Sequence, residues 1–374
     1  MRLGKFKVGH YINYIVIGLL TLVLGSMTLA DNRFDNSLLF LLEKVAISII
    51  LAVSLSLVVG FLGELSLGHA GFMCVGAYLG GKISSLLVPA LGNGLAAFAV
   101  SLIVGAAAAA VCGAIIGIPA LRLRGDYLAI VTLAFGEIVK TLFQNTSDES
   151  FGGTLGLDTP RYDKKYLFII AFVLVLITLA VVQNFIRSKH GRAVTAIRDN
   201  EIAAKATGIN VTKYKLIAFI TSATLAGVAG VLYSYSNYTV QSSKFGYNYS
   251  IEILVMVVLG GMGSINGSIV AAALITWLNT WLPTVLTGEM AVLQNLLYAL
   301  ILIGIVIYNN APALKGFRDK YNLSVLTDKF RRVDPAHIKD DKAKWDVVPT
   351  KISMDEILSV DLTPQDQQKY GGDE

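Results

Sequence analysis

The sequence predicts an all-α membrane protein, a polytopic bundle of about ten transmembrane helices. Two observations support this prediction. Of the 374 residues, 54% are hydrophobic and only 15% are charged, whereas ordinary soluble domains are about one quarter charged. The apolar residues also collect in long runs, and a helix needs about 20 such residues to cross a bilayer.

Ten apolar runs qualify as spanning helices. Two of them are weak, because one is rich in glycine and another is short; merging such a pair into one re-entrant element would leave eight helices. The first run is longer than the apolar part of a secretory signal, which favours a retained helix. The runs are residues 11–30, 38–60, 67–88, 95–118, 127–143, 166–186, 214–236, 251–263, 268–286 and 291–308.

The basic residues are distributed unevenly between the loops. Alternate loops are rich in Lys and Arg, and this bias places the N-terminus and the C-terminus in the cytoplasm. It also explains the net charge of +5 without a nucleic-acid partner. Residues 1–310 are therefore predicted to form the transmembrane domain, and the polar residues 311–374 a mostly disordered cytoplasmic tail.

Glycine-rich segments interrupt the apolar pattern at residues 60–72 and 259–268. Non-helical backbone at membrane depth is tolerated only where protein or a water-filled cavity satisfies its polar groups. Both segments are therefore predicted to border a substrate pathway; the alternative for the first is a tight turn with a helix–helix contact. The candidate pathway residues in them are Ser66, Gly68, His69, Gly71, Gly260, Gly261, Gly263 and Ser264.

Charged residues inside the apolar runs have two interpretations. Glu137 lies within a run, and a carboxylate at membrane depth is a functional candidate by default, here also for the pathway. Alternatively, Glu137 pairs with Lys140 near the outer interface. Glu43, Lys44 and Lys82 lie nearer to helix ends, so their charged groups are expected to extend towards water.

A stripe of small residues predicts close helix packing. Ser101, Gly105, Ala109, Gly113 and Gly117 follow one another at intervals of four residues. This spacing places them on one face of a helix, where a second helix can approach closely in lipid.

The predicted cytoplasmic loop at residues 187–213 is the most basic one. Asp199 or Asn200 is a suitable N-cap and Gly208 a suitable C-terminal residue for a short helix. We expect this helix to be flanked by extended segments and to dock onto another protein. The alternative is an interfacial helix that lies on anionic lipid.

No motif for covalent chemistry or metal binding is found. Cys74 and Cys112 lie in separate apolar runs and are predicted to be single thiols. Residues 76–82 approach a phosphate-binding loop, but Ile83 stands where Ser or Thr must bind Mg²⁺. The chain is therefore predicted to have no catalytic residue, no metal site and no bound cofactor.

Four segments together resemble the permease subunit of bacterial ABC importers for branched-chain amino acids. They are residues 65–72, 122–137, 191–209 and 258–264. The resemblance implies a multi-pass protein of the bacterial cytoplasmic membrane, in contact with lipid and paired with a second, homologous permease. Two cytoplasmic ATPase subunits would bind ATP and Mg²⁺, and an extracytoplasmic binding protein would deliver leucine, isoleucine or valine.

The resemblance also gives the loop helix a role. ABC permeases carry a cytoplasmic Glu-Ala-Ala-x-x-x-Gly motif that sits in a groove of the ATPase. Residues 202–208 occupy this frame, although Ile202 replaces the first acid and Glu201 lies one position earlier. The residues expected to take part in ATPase coupling are Arg192, Arg198, Asp199, Glu201, Ala203, Ala204 and Gly208.

Other functions stay open at this point. Related permeases carry urea or short amides, although residues 132–137 look more like the amino acid branch. An ion-coupled secondary carrier would suit Glu137 and His69, and uptake driven by an ion gradient alone would identify it. An intramembrane enzyme or a structural assembly subunit is disfavoured, because no nucleophile–base pair or metal cluster is found on facing spans.

Overall fold

The computed structural model describes residues 35–92, 94–121, 127–160, 162 and 164–285, with isolated positions between 17 and 26 and between 299 and 307. Seven helices in this part of the chain are long and apolar enough to cross a membrane. The predicted fold class, an all-α polytopic bundle, is thereby confirmed. Apart from those isolated positions, the predicted runs 11–30 and 291–308 lie outside the described residues, as do Arg122, Arg124 and the tail 311–374.

Eight of the ten predicted runs correspond to described helices. The helices are α1 (Asn36–Ser56, continued by a π-helical turn, Leu57–Leu62), α2 (His69–Leu91), α3 (Leu95–Ala120), α4 (Tyr127–Gln144), α5 (Asp148–Phe151), α6 (Lys164–Arg187), α7 (Lys189–Asp199), α8 (Glu201–Ala206), α9 (Val211–Ser236), α10 (Tyr247–Leu259) and α11 (Ile265–Val285). Strands β1 (Leu157–Asp158) and β2 (Thr239–Val240) pair antiparallel, and a 3-10 turn (Ser242–Phe245) precedes α10.

Helix α9 lies at the centre of the bundle and packs closely against α2 and α3. The stripe of small residues on α3 faces α9. A Cβ atom added to Gly113 would lie 2.7 Å from the methyl carbon of Ala223, and one added to Gly117 would lie 2.9 Å from Leu216 Cδ1. Larger side chains on this face of α3 would therefore push the two helices apart.

The opposite face of α3 is apolar and is not covered by the other described parts of the chain. Ile103 and Ile115 are 68% and 62% exposed. A helix that is apolar on all sides is suited to lipid or to a second apolar surface, so this face fits a membrane protein.

Helix α2 begins at a buried position, where the chain leaves a non-helical segment. The amide of Leu67, just before α2, donates to Thr132 Oγ1 of α4 at 3.0 Å. The amide of Ala70, in the first turn of α2, donates to Ser250 Oγ of α10 at 3.1 Å. Because α10 has only 13 residues, it is too short to cross a bilayer alone.

The expectation that Glu43 extends towards water is wrong. Its side chain is fully buried, and Glu43 Oε2 accepts a hydrogen bond from Ser236 Oγ at 2.6 Å. The reason is tertiary: α1 is covered by α6, α9 and α11, so the position is enclosed although it lies near a helix end. Lys82, by contrast, donates at the bundle surface to the carbonyl oxygen of Glu149 at 3.1 Å.

Candidate functional site

The predicted coupling loop folds into two short helices, α7 and α8. Asn200 caps α8, since its Oδ1 accepts from the amides of Ile202 and Ala203 at 3.0 Å each. Gly208 follows the helix with φ +82°, a backbone conformation that favours glycine. The predicted N-cap and C-terminal residue are confirmed, but the extended segment expected before α8 is helix α7. Ser188 caps this additional helix by accepting from the amides of His190 and Gly191.

The two helices have an inner and an outer side. On the inner side, Ile197, Ala204 and Val211 form a small buried cluster. The side chain of Ala204 therefore packs inside the loop, and its part in ATPase coupling stays a prediction. On the outer side, Ile202 is 82% exposed and Ala203 lies beside it, also exposed. The residue that departs from the motif is thus the most prominent apolar group of the loop.

Arg198 connects α7 to both glycine-rich segments. Its Nη1 donates to the carbonyl oxygen of Gly60 at 3.1 Å, and its Nε and Nη2 donate to Asp199 Oδ1 at 3.0 and 2.9 Å. Gly263, with φ +84°, packs on Gly60 so closely that a Cβ atom on Gly60 would overlap the amide of Gly263. The two glycine-rich turns therefore meet beside the guanidinium group of Arg198.

Lys215 forms a second connection between the loop and the bundle. Its ammonium group contacts Glu64 Oε1 and, at 3.1 Å, Glu201 Oε2. Glu201 Oε1 also accepts from Lys205 Nζ at 2.7 Å. The side chains of Lys215 and Glu64 are only 7% and 15% exposed, so this ion pair is largely shielded from water.

The pKa of the Glu201 carboxyl is lowered, first by the hydrogen bond from Lys205 and then by Lys215. A lowered pKa means that the contribution of this carboxylate to stability is complete above its ordinary pKa. It is lost only as the pH falls through the lowered value. The contact of Glu201 with Lys215 is therefore intact at neutral pH.

The candidate pathway residues have different neighbours. Ser66 and His69 are buried near the start of α2, where His69 Nε2 shares a hydrogen bond of 2.8 Å with Ser54 Oγ. No partner for Ser66 Oγ occurs among the described residues. Gly68 packs on Thr132 and Gly71 on Gly136. Gly68 and Gly71 therefore line the contact between α2 and α4, whereas His69 contacts α1.

The second set lies in the turn between α10 and α11. Gly260 packs against the backbone of Gly267, and Gly261 has φ +89°. Ser264 Oγ accepts from the amide of Gly267 at 3.2 Å. With Gly263 beside Gly60, this turn belongs to the end of the bundle that carries α7 and α8.

Glu137 is paired within the chain. Its Oε2 accepts from Lys140 Nζ at 2.8 Å, and its Oε1 accepts from the amide of Tyr247 at 2.8 Å.

Arg192, a candidate coupling residue in α7, lies at the surface of the loop. Its side chain donates to the carbonyl oxygen of Arg187 at 3.1 Å.

Sequence reasoning missed the connection between Glu64 and Lys215. These residues are separated by 151 positions, and no periodicity relates them. The available signal was the carboxylate itself, which stands beside glycines at the edge of an apolar run.

Comparison with known proteins gives one family and several relatives. A family model described as the permease component of a branched-chain amino acid transport system matches residues 37–308. The chain is similar to the high-affinity branched-chain amino acid transport system permease protein LivM of Salmonella typhimurium, with 37% identity over 61% of this chain and 60% of the relative. The LivM protein of Escherichia coli is 36% identical over the same shares.

A sugar permease covers more of the chain at lower identity. The ribose import permease protein RbsC of Escherichia coli is 29% identical over 79% of this chain and 92% of the relative. The match to the LivM proteins spans only about three fifths of their length, 60%. No solved structure matches the chain significantly.

Proposed function

The chain belongs to the family of branched-chain amino acid transport system permease components, and we propose that it is the permease subunit of an ABC importer for branched-chain amino acids. The observation that carries this proposal is the outer side of α8, which presents Ile202 to solvent on a rigidly capped loop. An exposed apolar residue on a fixed helix is suited to dock into a groove of a separate protein.

The other components of the importer are separate protein chains. A second permease completes the pathway, two cytoplasmic ATPase subunits bind ATP and Mg²⁺, and an extracytoplasmic protein delivers the amino acid. This chain itself transports and carries out no covalent chemistry. The assembly resides in the bacterial cytoplasmic membrane.

The connections of the loop suggest how force passes from the ATPase to the bundle. When α8 is displaced, Arg198 transmits the movement to Gly60 at the end of α1 and to the neighbouring turn at Gly263. Lys215 transmits it to Glu64, which immediately precedes the extended segment that leads into α2. Helices α1, α2, α10 and α11 therefore respond together.

Ile202→Glu tests the docking surface. We expect this change to reduce ATP-dependent uptake of labelled leucine and leucine-stimulated ATP hydrolysis at least about tenfold, because a charge replaces an apolar contact in the ATPase groove. The measurement uses proteoliposomes that contain the complete set of subunits and the binding protein.

Thr212→Glu is the matched control, since Thr212 is exposed in the same loop but outside α8. It should retain uptake. Normal uptake by Ile202→Glu in a fully assembled transporter would contradict the docking claim. Uptake of urea or ribose in place of leucine would leave the docking claim intact and change the substrate.

A further inference from the structure

A cavity of about 320 Å³ opens between α1, α9, α10 and α11. This volume lies within the range of about 300–1,000 Å³ that is typical of small-molecule sites. The cavity is formed by the N-terminal half of α1, the C-terminal ends of α9 and α11, and the start of α10. It therefore lies at the end of these helices opposite to Arg198 and Lys215.

Two lysines line this cavity. Lys44 and Lys244 both line it and repel each other electrostatically. Lys44 Nζ lies 4.4 Å from the centre of the Phe40 ring. Neither ammonium group forms an ion pair within the described part of the chain. A pair of like charges at a partly covered position favours the binding of an anion.

A carboxylate lies on another wall of the same cavity. Glu252 lines it, and its Oε1 accepts from Asn279 Nδ2. This hydrogen bond orients the carboxylate and leaves Oε2 without a hydrogen-bond partner among the described residues. The cavity thus offers a site for a cation as well as one for an anion.

The remaining walls supply one unpaired hydroxyl group and an apolar surface. Thr276 Oγ1 is buried and has no hydrogen-bond partner within the described residues. A buried hydroxyl group without a partner costs free energy, which a bound polar molecule would recover. Ile47 and Phe245 provide apolar contacts beside it.

We propose that this cavity binds the zwitterion of an apolar α-amino acid on its way into the bundle. The carboxylate of the amino acid lies between Lys44 and Lys244, its ammonium group meets Glu252, and its side chain packs on Ile47 and Phe245. The identity of the amino acid rests on the proposed function; the two charges of the site rest on the cavity alone. An uncharged sugar would leave all three charged groups without partners.

The test is protection of a cysteine placed in the cavity wall. Thr280→Cys is introduced in the assembled transporter after Cys74 and Cys112 have been changed to Ala, and reaction with a small thiol reagent is followed by mass spectrometry of this subunit. The binding protein is omitted so that ligands reach the cavity directly. Saturating leucine should slow the reaction at least about fivefold, because the occupied cavity excludes the reagent.

Leucine fragments and sugars provide the chemical controls. Isocaproate lacks the ammonium group and isoamylamine lacks the carboxylate, so each should protect much less than leucine, and ribose should not protect. Glu252→Gln should raise the leucine concentration needed for protection roughly tenfold or more, since a charged hydrogen bond is lost. Glu149→Gln, an exposed carboxylate outside the cavity, should not change it.

Thr141→Cys is the matched control for reactivity, because Thr141 is exposed and lies outside this cavity. Leucine should not protect it. Absence of leucine protection at Thr280→Cys, or equal protection by isocaproate or ribose, would overturn the proposal. If the same preparation imports leucine with ATP but shows no protection, the cavity assignment alone fails. Protection without import would instead uphold the cavity and contradict the proposed function.

Discussion

Lys215 shows at the scale of single residues how the loop is held to the bundle. Its ammonium group lies between Glu64 and Glu201 and is almost completely covered. Charges removed from water are stable only when they are paired, and the removal of one partner leaves the other uncompensated. Lys215 therefore joins the loop to the bundle and is also needed for the stability of the fold.

Replacement of this lysine should destabilise the protein. We expect Lys215→Met to lower the free energy of unfolding by about 3–5 kcal/mol, because Glu64 remains mostly buried without its counter-charge. Thermal unfolding of the purified protein in detergent measures the effect. Lys213 is exposed and lies two residues earlier on α9, so Lys213→Met should be neutral. Adding Glu64→Gln to Lys215→Met should restore part of the loss. Equal melting temperatures for Lys215→Met and Lys213→Met would exclude a stabilising role for Lys215.

Arg198 should affect coupling more than assembly. We expect Arg198→Leu to insert and assemble but to import roughly tenfold less leucine per ATP hydrolysed, because the charged hydrogen bond to the Gly60 carbonyl is lost. Simultaneous assays of uptake and ATP hydrolysis give this ratio. Lys189→Leu removes an exposed cation from the same helix and should keep the normal ratio. An unchanged ratio of leucine imported to ATP hydrolysed in Arg198→Leu would show that other contacts transmit the movement of the loop to the bundle.

At the scale of helices, the small-residue face of α3 determines how closely α9 can approach. Ala109 is fully buried on this face. We expect Ala109→Leu to destabilise the protein by about 1–3 kcal/mol through overpacking. Ala107→Leu is its matched control, since Ala107 lies on the exposed side of α3 and should change stability little. Thermal unfolding of both variants measures this difference in stability. Similar melting temperatures for Ala109→Leu and Ala107→Leu would contradict close packing of α9 at Ala109.

The helices also show how far the sequence could predict the fold. Spans such as α3 and α9 follow from run length and apolar composition, because the bilayer imposes one length on every crossing. The packing face of α3 was also predictable from local sequence, because the spacing of its small residues places them on one side of the helix. Helix α7 was not predicted, although Ser188 provides a local cap for it. The burial of Glu43 depends on three other helices and leaves no local pattern.

The site could be predicted only in part. The loop helix was recognisable from Asn200 and Gly208, since capping is encoded within a few residues. The orientation of α8 was not, because the inward turn of Ala204 depends on its packing against Ile197 and Val211. The charge cluster at Lys215 and the cavity at Glu252 join distant segments, so tertiary structure alone brings their members together.

At the scale of the whole molecule, the same four helices connect the proposed amino acid site to the proposed coupling loop. Helices α1, α9, α10 and α11 border the charged cavity at one end and meet Arg198, Lys215 or the Gly263 turn at the other. A displacement of the loop can therefore alter the cavity without any contact between them. This arrangement fits a chain that receives a solute at one end and is driven from the other.

The most direct measurement of this account is leucine accumulation by the reconstituted transporter with and without its ATPase subunits. The account predicts that the complete assembly concentrates leucine inside proteoliposomes when ATP is supplied. It also predicts that the permease pair alone does not do so under any proton or sodium gradient. Accumulation by the permeases without an ATPase would contradict the account, because it would make the loop helix unnecessary for energy supply.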